Sequence, residues 1–327
     1  MTEPTFGPST SNSPDRVGGV TWERATIEKL VLAQISEQRA ARRWKMFMRL
    51  LWLAIIGAVI WFVYKAESMS VPITTPHTAV IEIRGEIASG AEASAENVVA
   101  SLISAFEDKG AQAVVLLIDS PGGSPVQAGI INDEITRLKA LHNKKVYAVV
   151  EETCASAAYY IAAAADSIYV DKASLVGSIG VLMDGFGFTG LMEKLGIERR
   201  LMTAGENKAM LDPFSPQDEA QRAYIQAMLT EIHTQFIGVV RKGRGDRLKE
   251  TPDTFSGLVW SGQQAVNLGL ADGLGSLDYV AREVVKAEDI VDYTQRENLG
   301  LRLAKRFGAS IGEGMFFAAR STGMQLK

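Results

Sequence analysis

From residue 79 onward, short apolar runs alternate with longer segments whose apolar residues recur every three or four positions. AVIEIRG (79–85) has the length and composition of a strand, and residues 94–108 carry the helical period. AVVLLID (113–119) is apolar up to its final Asp, the pattern of a strand covered on both faces. The turn SPGGSP (120–125) leads into a helix over 126–141. KVYAVVE (145–151) reads as the next strand, a helix opens near Ser156, and SIYVD (167–171) and SIGVLMD (178–184) read as further strands. At SPQDE (215–219), Ser215 can cap, Pro216 fits the first turn and Asp218 completes a capping-box pattern, so a long helix is predicted to about Arg241, ending at GRG (243–245). Strands alternating with helices predict an α/β fold with mostly parallel pairing.

The first 78 residues follow another pattern. Residues 1–20 are rich in Ser, Pro, Thr and Gly and predict a disordered tail. Residues 21–45 place Ile27, Leu30, Val31 and Ile35 on one helical face. LLWLAIIGAVIWFVY (50–64) has no charge, and extending it back to Met46 adds only Arg49, whose head can snorkel. As a helix, 46–64 spans about 28 Å, one bilayer core. Trp52, Trp61 and Tyr64 suit its interfaces. Arg39, Arg42, Arg43, Lys45 and Arg49 crowd its N-terminal side, which places the N-terminus in the cytoplasm and everything after Lys65 across a bacterial inner membrane. The expected organisation is a cytoplasmic tail (1–45), a transmembrane helix (46–64), a linker (65–78), a catalytic domain (79–288) and a C-terminal helical extension (289–327).

Composition narrows the function. Hydrophobic residues make up 47% and charged residues 22%, as in a globular chain. The net charge is −4: residues 1–65 carry nine Lys/Arg against five Asp/Glu, so the remainder carries −8. That balance gives no reason to expect nucleic acid as a partner. The single cysteine, Cys154, rules out an internal disulfide framework and CxxC zinc sites. HExxH, Walker and S-x-x-K motifs are absent from the sequence. His77 falls in the linker, His142 at a helix end and His233 inside the long helix, a poor arrangement for a triad. Cys154 reads as a small buried residue or as a nucleophile without an evident activating histidine.

Two features remain. In DSPGGSP (119–125), Gly122 and Gly123 permit positive φ and close approach between a buried strand and a helix, which suits either an oxyanion hole or a tight βα turn. In VYAVVEETCASAAYYIAAAADSIYV (146–170), a single hydroxyl, Ser156, falls between strand and helix among alanines. That position, at the end of a parallel strand, suits a nucleophile in the crevice where α/β folds bind ligands, or a helix cap. A serine nucleophile needs a base. With histidine unpromising, a lysine is next, and an amine base must have its pKa brought from about 10.4 toward 8, a shift of about 3 kcal/mol. Lys208 lies in LMTAGENKAMLDPFSP (201–216) beside apolar Met210 and Leu211; composition alone does not separate it from Lys172 or Lys194.

The ordered set DSPGG (119–123), CASAAYYIAAAAD (154–166), SLVGSIGVL (174–182), AGENKAM (204–210), SPQD (215–218), GRG (243–245) and SGQQAVNLGLADGLG (261–275) resembles the signal peptide peptidase A family of membrane-anchored Ser–Lys endopeptidases. The resemblance covers about 200 residues. It implies a crotonase/Clp-protease-like superhelix of ββα units, with Ser156 as nucleophile, Lys208 as general base, and Gly122, Gly123 and Ala157 around the oxyanion. It also implies no metal or organic cofactor, hydrophobic peptides such as signal-peptide remnants as substrates, and a homo-oligomeric ring in which each dyad is shared between subunits. Where the family has Gly-Gly after the serine, this chain has Ala157 and Ala158. The rival readings are a crotonase-type acyl-CoA enzyme and an inactive membrane scaffold of the same fold.

Overall fold

The computed structural model describes residues 28–29, 42–59, 61 and 75–296 of the 327-residue chain. Residues 42–59 form a helix, α1, within one unit (Met1–Val71), and the strands and helices that follow from His77 onward belong to a second unit (Pro72–Lys327). Among the described residues no helix is long and apolar enough to cross a membrane. The described part of α1 begins inside the basic cluster, at Arg42, and stops at 59, short of the end of the apolar run. Of the C-terminal extension expected over 289–327, residues 297–327 lie outside the described residues.

The second unit alternates strand and helix as its sequence pattern predicts. Its elements begin with β1 (His77–Ile87), α2 (Ala95–Glu107), β2 (Ala111–Gly123), α3 (Pro125–His142), β3 (Lys145–Ala155) and α4 (Ala157–Ala162). They continue with β4 (Ser167–Val170), β5 (Leu175–Gly177), α5 (Thr189–Leu195), α6 (Glu219–Arg244), β6 (Val259–Ser261), α7 (Gly262–Asn267), β7 (Gly273–Leu274), α8 (Leu277–Tyr279) and β8 (Ile290–Asp292). The sheet runs β6-β5-β3-β2-β1-β8, and β4 pairs with both β3 and β7. Every pairing is parallel except β5 with β6.

The continuous apolar run in β2 follows from its central place. Val114, Leu116 and Ile118 enter the larger core with the helices, whereas Val115 and Leu117 pack with Val80, Val149 and Val280 on the opposite face. Because successive strand residues point to opposite faces, a strand covered on both must be apolar at every position. The ends of β2 and β3 thus emerge from a rigid centre.

Three local details differ from the pattern-based expectation. β2 continues through Pro121 to Gly123, after a register shift opposite Arg84 and Glu86; the missing proline amide is tolerated at such an irregularity. The strand expected at 178–184 does not form. Ser178 instead turns to φ 51°, its amide donates to the Leu258 carbonyl at 2.8 Å, and the chain leaves the sheet. The long helix starts three residues later than SPQDE suggests, because the Asp218 carboxylate, not Ser215, caps it by accepting the Gln221 amide at 3.0 Å.

The far end of α4 is fixed by a buried ion pair. Arg244 has no exposed side-chain surface; it donates to both Asp272 oxygens at 2.9 Å and to the Gly269 carbonyl at 2.8 Å. Next to it, a Cβ on Gly243 would fall 1.9 Å from the Ala163 carbonyl oxygen, so only glycine lets α6 press on the end of α4. The Tyr159 hydroxyl donates to the Leu270 carbonyl at 2.7 Å. Burial alone would push the Asp272 carboxyl up, but the hydrogen bonds and charge of Arg244, the Ile168 amide and Arg247 outweigh it and hold the group below the usual carboxylate range. A depressed folded-state value means that this stabilisation is complete above the unfolded value of about 4 and is lost as pH falls through the folded one. Arg244→Met should therefore cost about 3 kcal/mol in denaturant titrations at neutral pH, and Arg244→Met with Asp272→Leu should recover most of it. The single variant should also lose the part of the wild type's stability that disappears below about pH 4.

Candidate active site

Ser156 occupies the single residue between β3 and α4, with φ 53° and ψ −123°. A non-glycine residue held there stores about 1–3 kcal/mol of strain and persists only where its surroundings enforce it. Three contacts do so. Its amide donates to the Gly177 carbonyl on β5 at 2.8 Å, and its carbonyl accepts the Tyr160 amide at 3.0 Å. Gly122 lies directly behind it: a Cβ there would be 2.7 Å from Ser156 Cβ and 2.7 Å from the Ala155 carbonyl oxygen. Although Ser156 stands at the cap position of α4, its hydroxyl makes no capping hydrogen bond. The cap alternative left open by the sequence is therefore not the arrangement found. Positive φ falls on Ser156 itself, while Ala157 and Ala158 are helical, so glycine is not required after the serine.

The glycine turn is built around the same point. Gly122 has φ 105° and Gly123 φ 144°, and a Cβ on Gly123 would collide with the Ile87 carbonyl oxygen at 2.3 Å. The two glycines do different work. Gly122 is buried, and its amide donates to Ser120 Oγ at 3.1 Å, while that hydroxyl donates to the Gly85 carbonyl at 2.6 Å. Gly123 instead lines an open cleft of about 530 Å³ together with Ser156 and Ala157. The amide of Ala157 belongs to the first turn of α4, where backbone donors have no intrahelical partner. Tyr160, Val181, Leu182, Ile232 and Phe236 give the cleft an apolar wall.

The structure brings Ser156, Gly123 and Ala157 to one cleft and sets Gly122 behind them. Lys208 is not among the residues lining the cleft of its own chain; it is exposed, in the excursion between β5 and α6. Ser178, missed by the sequence reading, does line the cleft and supplies a second hydroxyl on strained backbone (φ 51°). Its signal was the Gly-Ser-Ile-Gly interruption in a run otherwise readable as a strand. Cys154 is fully buried, and desolvation pushes its thiol far above the ordinary range, opposite to what a thiolate nucleophile needs. His77 begins β1, buried, with its ring bonded to the Thr75 carbonyl and the Tyr293 hydroxyl, both at 2.9 Å. His233 bonds the Ile179 carbonyl at 3.0 Å, and no histidine lines the cleft.

Residues 139–291 match the model of Peptidase family S49. A provisionally named protease of Methanocaldococcus jannaschii is 34% identical over 215 residues, covering 64% of this chain and 68% of that protein. The chain belongs to peptidase family S49, the signal peptide peptidase A family. Other relatives are larger. Protease 4 of Haemophilus influenzae is 29% identical over 221 residues, 66% of this chain and 35% of that protein. A Brucella melitensis protein named Na(+)/H(+) antiporter NhaA is 43% identical over 214 residues, 65% of this chain, and the chain spans only 29% of its length. The S49 match contains Ser156, Ser178, Lys208 and the Arg244–Asp272 pair, whereas the glycine turn at 122–123 lies upstream of it.

The strain at Ser156 can be measured in this S49 chain. Ser156→Gly should raise the stability by about 1–2 kcal/mol relative to Ser156→Ala, because only glycine is relieved at φ 53°. Equal denaturation midpoints for the two variants would mean that the backbone at this residue is unstrained.

Proposed function

We propose that this chain is a membrane-anchored serine endopeptidase in which Ser156 is the nucleophile and Lys208 of an adjoining subunit is the general base. The observation that carries the reading is a serine held at positive φ at the end of a parallel strand, with its hydroxyl uncommitted and facing a cleft. In this mechanism neutral Lys208 takes the proton of Ser156 Oγ as the oxygen attacks a peptide carbonyl. The amides of Gly123 and Ala157 stabilise the oxyanion, with Gly122 as the backstop that sets the spacing. Lys208 then passes the proton to the departing amine, and water hydrolyses the acyl-enzyme. No cofactor takes part in these steps.

The exposed position of Lys208 favours a dyad completed between subunits. So do the large apolar side chains left uncovered on the same excursion: Leu182, Phe186 and Met202 are 82%, 78% and 95% exposed. A second copy of the chain would cover them, and a repeated head-to-tail contact of this kind closes into a ring. The apolar cleft wall supports hydrophobic peptides as substrates, signal-peptide remnants among them. The uncharged run ending at Tyr64 and the basic cluster before it support an anchor over 46–64, an N-terminus in the cytoplasm and a catalytic domain outside the bacterial inner membrane. The parallel sheet with its helices is compatible with the crotonase/Clp-protease-like superhelix that S49 membership suggests.

The test is hydrolysis of a fluorogenic hydrophobic peptide by the full chain in detergent. Ser156→Ala and Lys208→Ala should each lower kcat by about 10³-fold or more. A serine-directed phosphonate should label Ser156, identified by mass spectrometry. Undiminished cleavage by either variant, or labelling elsewhere, would overturn the assignment.

A further inference from the structure

The segment that carries Lys208 is held far more tightly than an exposed loop requires. Three successive turns shape it: the Lys208 amide donates to the Gly205 carbonyl at 3.1 Å, Met210 to Asn207 at 3.2 Å and Asp212 to Ala209 at 3.1 Å. Gly205 opens the first turn at φ 104°. Leu211, with a branched side chain more than half exposed, is forced to φ 67° three residues after the lysine. Strain of that kind survives only where neighbouring contacts impose it.

Those contacts converge on Asp212. Arg199 forms an ion pair with it, Nη2 lying 3.1 Å from one carboxylate oxygen, and Ser215 Oγ donates to the other at 2.5 Å. The Asp212 side chain is only 11% exposed, and the Arg199 guanidinium sits 5.3 Å from the centre of the Phe214 ring, which stacks on Phe188. The Phe188 amide closes the base of the excursion by donating to the Pro213 carbonyl at 2.7 Å. Gln221 on α6 donates to the Asn207 side chain at 3.4 Å, next to Lys208. Residue 199 precedes the lysine and residues 212 and 215 follow it, so a single carboxylate ties together both ends of the loop between them.

We infer that Asp212, clamped by Arg199 and Ser215, is a positioning residue that fixes how Lys208 is presented to the Ser156 cleft of the neighbouring subunit. This rests on the reading of Lys208 as the base. A base supplied by another chain cannot be placed by its own subunit's cleft, so its loop must be shaped before assembly. Displacement of a reacting group by about 1 Å is worth about 10²-fold in rate.

The experiment measures kcat and KM of the full-length enzyme on the hydrophobic peptide for Asp212→Asn, Arg199→Lys and Lys208→Ala, with melting temperature and sedimentation recorded for each. Asp212→Asn should lower kcat by about 10²-fold while KM stays within about threefold and the assembly stays intact. Arg199→Lys, which keeps a cation on the carboxylate, should retain kcat within about tenfold of wild type. Asp212→Asn with wild-type kcat overturns the clamp, as does a loss of kcat no larger than the loss of assembled protein. Should Asp212→Asn not assemble, Ser215→Ala removes only the hydrogen bond and leaves the ion pair; kcat lowered with KM unchanged supports the clamp, and full kcat overturns it. An inactive Lys208→Ala beside a fully active Asp212→Asn sinks the clamp alone. A fully active Lys208→Ala sinks the base assignment and the clamp with it.

Discussion

The site depends on the contact between Gly122 and Ser156. A serine reaches φ 53° only if its backbone is gripped from both sides, and the grip requires the end of β2 to lie against the β3–α4 junction with no side chain between them. Any larger residue at 122 would place an atom 2.7 Å from Ser156 Cβ. Parallel pairing of β2 with β3 and of β3 with β5 supplies the grip, because it brings the ends of three strands to one edge. The position of one hydroxyl is therefore a property of the whole sheet.

The alanines that follow Ser156 have the same origin. α4 is six residues long, too short to hold itself by propensity, and is fastened at both ends. At its start the Gly122 turn presses on Ala157; at its finish Gly243 presses on Ala163, and the Arg244–Asp272 pair locks the layer behind. Side chains larger than a methyl at these positions would separate the layers that hold Ser156 in place. GRG and the stretch around Asp272, otherwise unexplained by the chemistry, belong to this fastening.

Much of this was legible in the sequence. Doubly buried strands announce themselves by unbroken apolar runs, so the centre of the sheet was readable from AVVLLID and KVYAVVE. Ser156 and the glycine turn stood out because a hydroxyl among alanines and a Gly-Gly pair after a buried strand are poor core material. The failures had physical causes. SIGVLMD is as apolar as a strand, yet its side chains border a cleft and their neighbourhood, and periodicity cannot separate those fates. SPQD offers two caps, and only the Ser215–Asp212 hydrogen bond decides that Asp218 is the one used. Lys208 could not be chosen over Lys172 or Lys194 by pattern, and all three are exposed within one chain. A base shared between chains, as proposed here, would leave no trace in the local sequence; the resemblance to the family is what singled out Lys208.

The central claim is that each active centre joins Ser156 of one subunit to Lys208 of another. The most direct measurement mixes two inactive full-length variants, Ser156→Ala and Lys208→Ala, under conditions that exchange subunits, and assays peptide hydrolysis. In a randomly mixed ring, about a quarter of the interfaces would pair an intact Ser156 with an intact Lys208, so activity should return to about that fraction of wild type. A mixture that has demonstrably exchanged subunits and remains as inactive as its components would contradict the shared dyad.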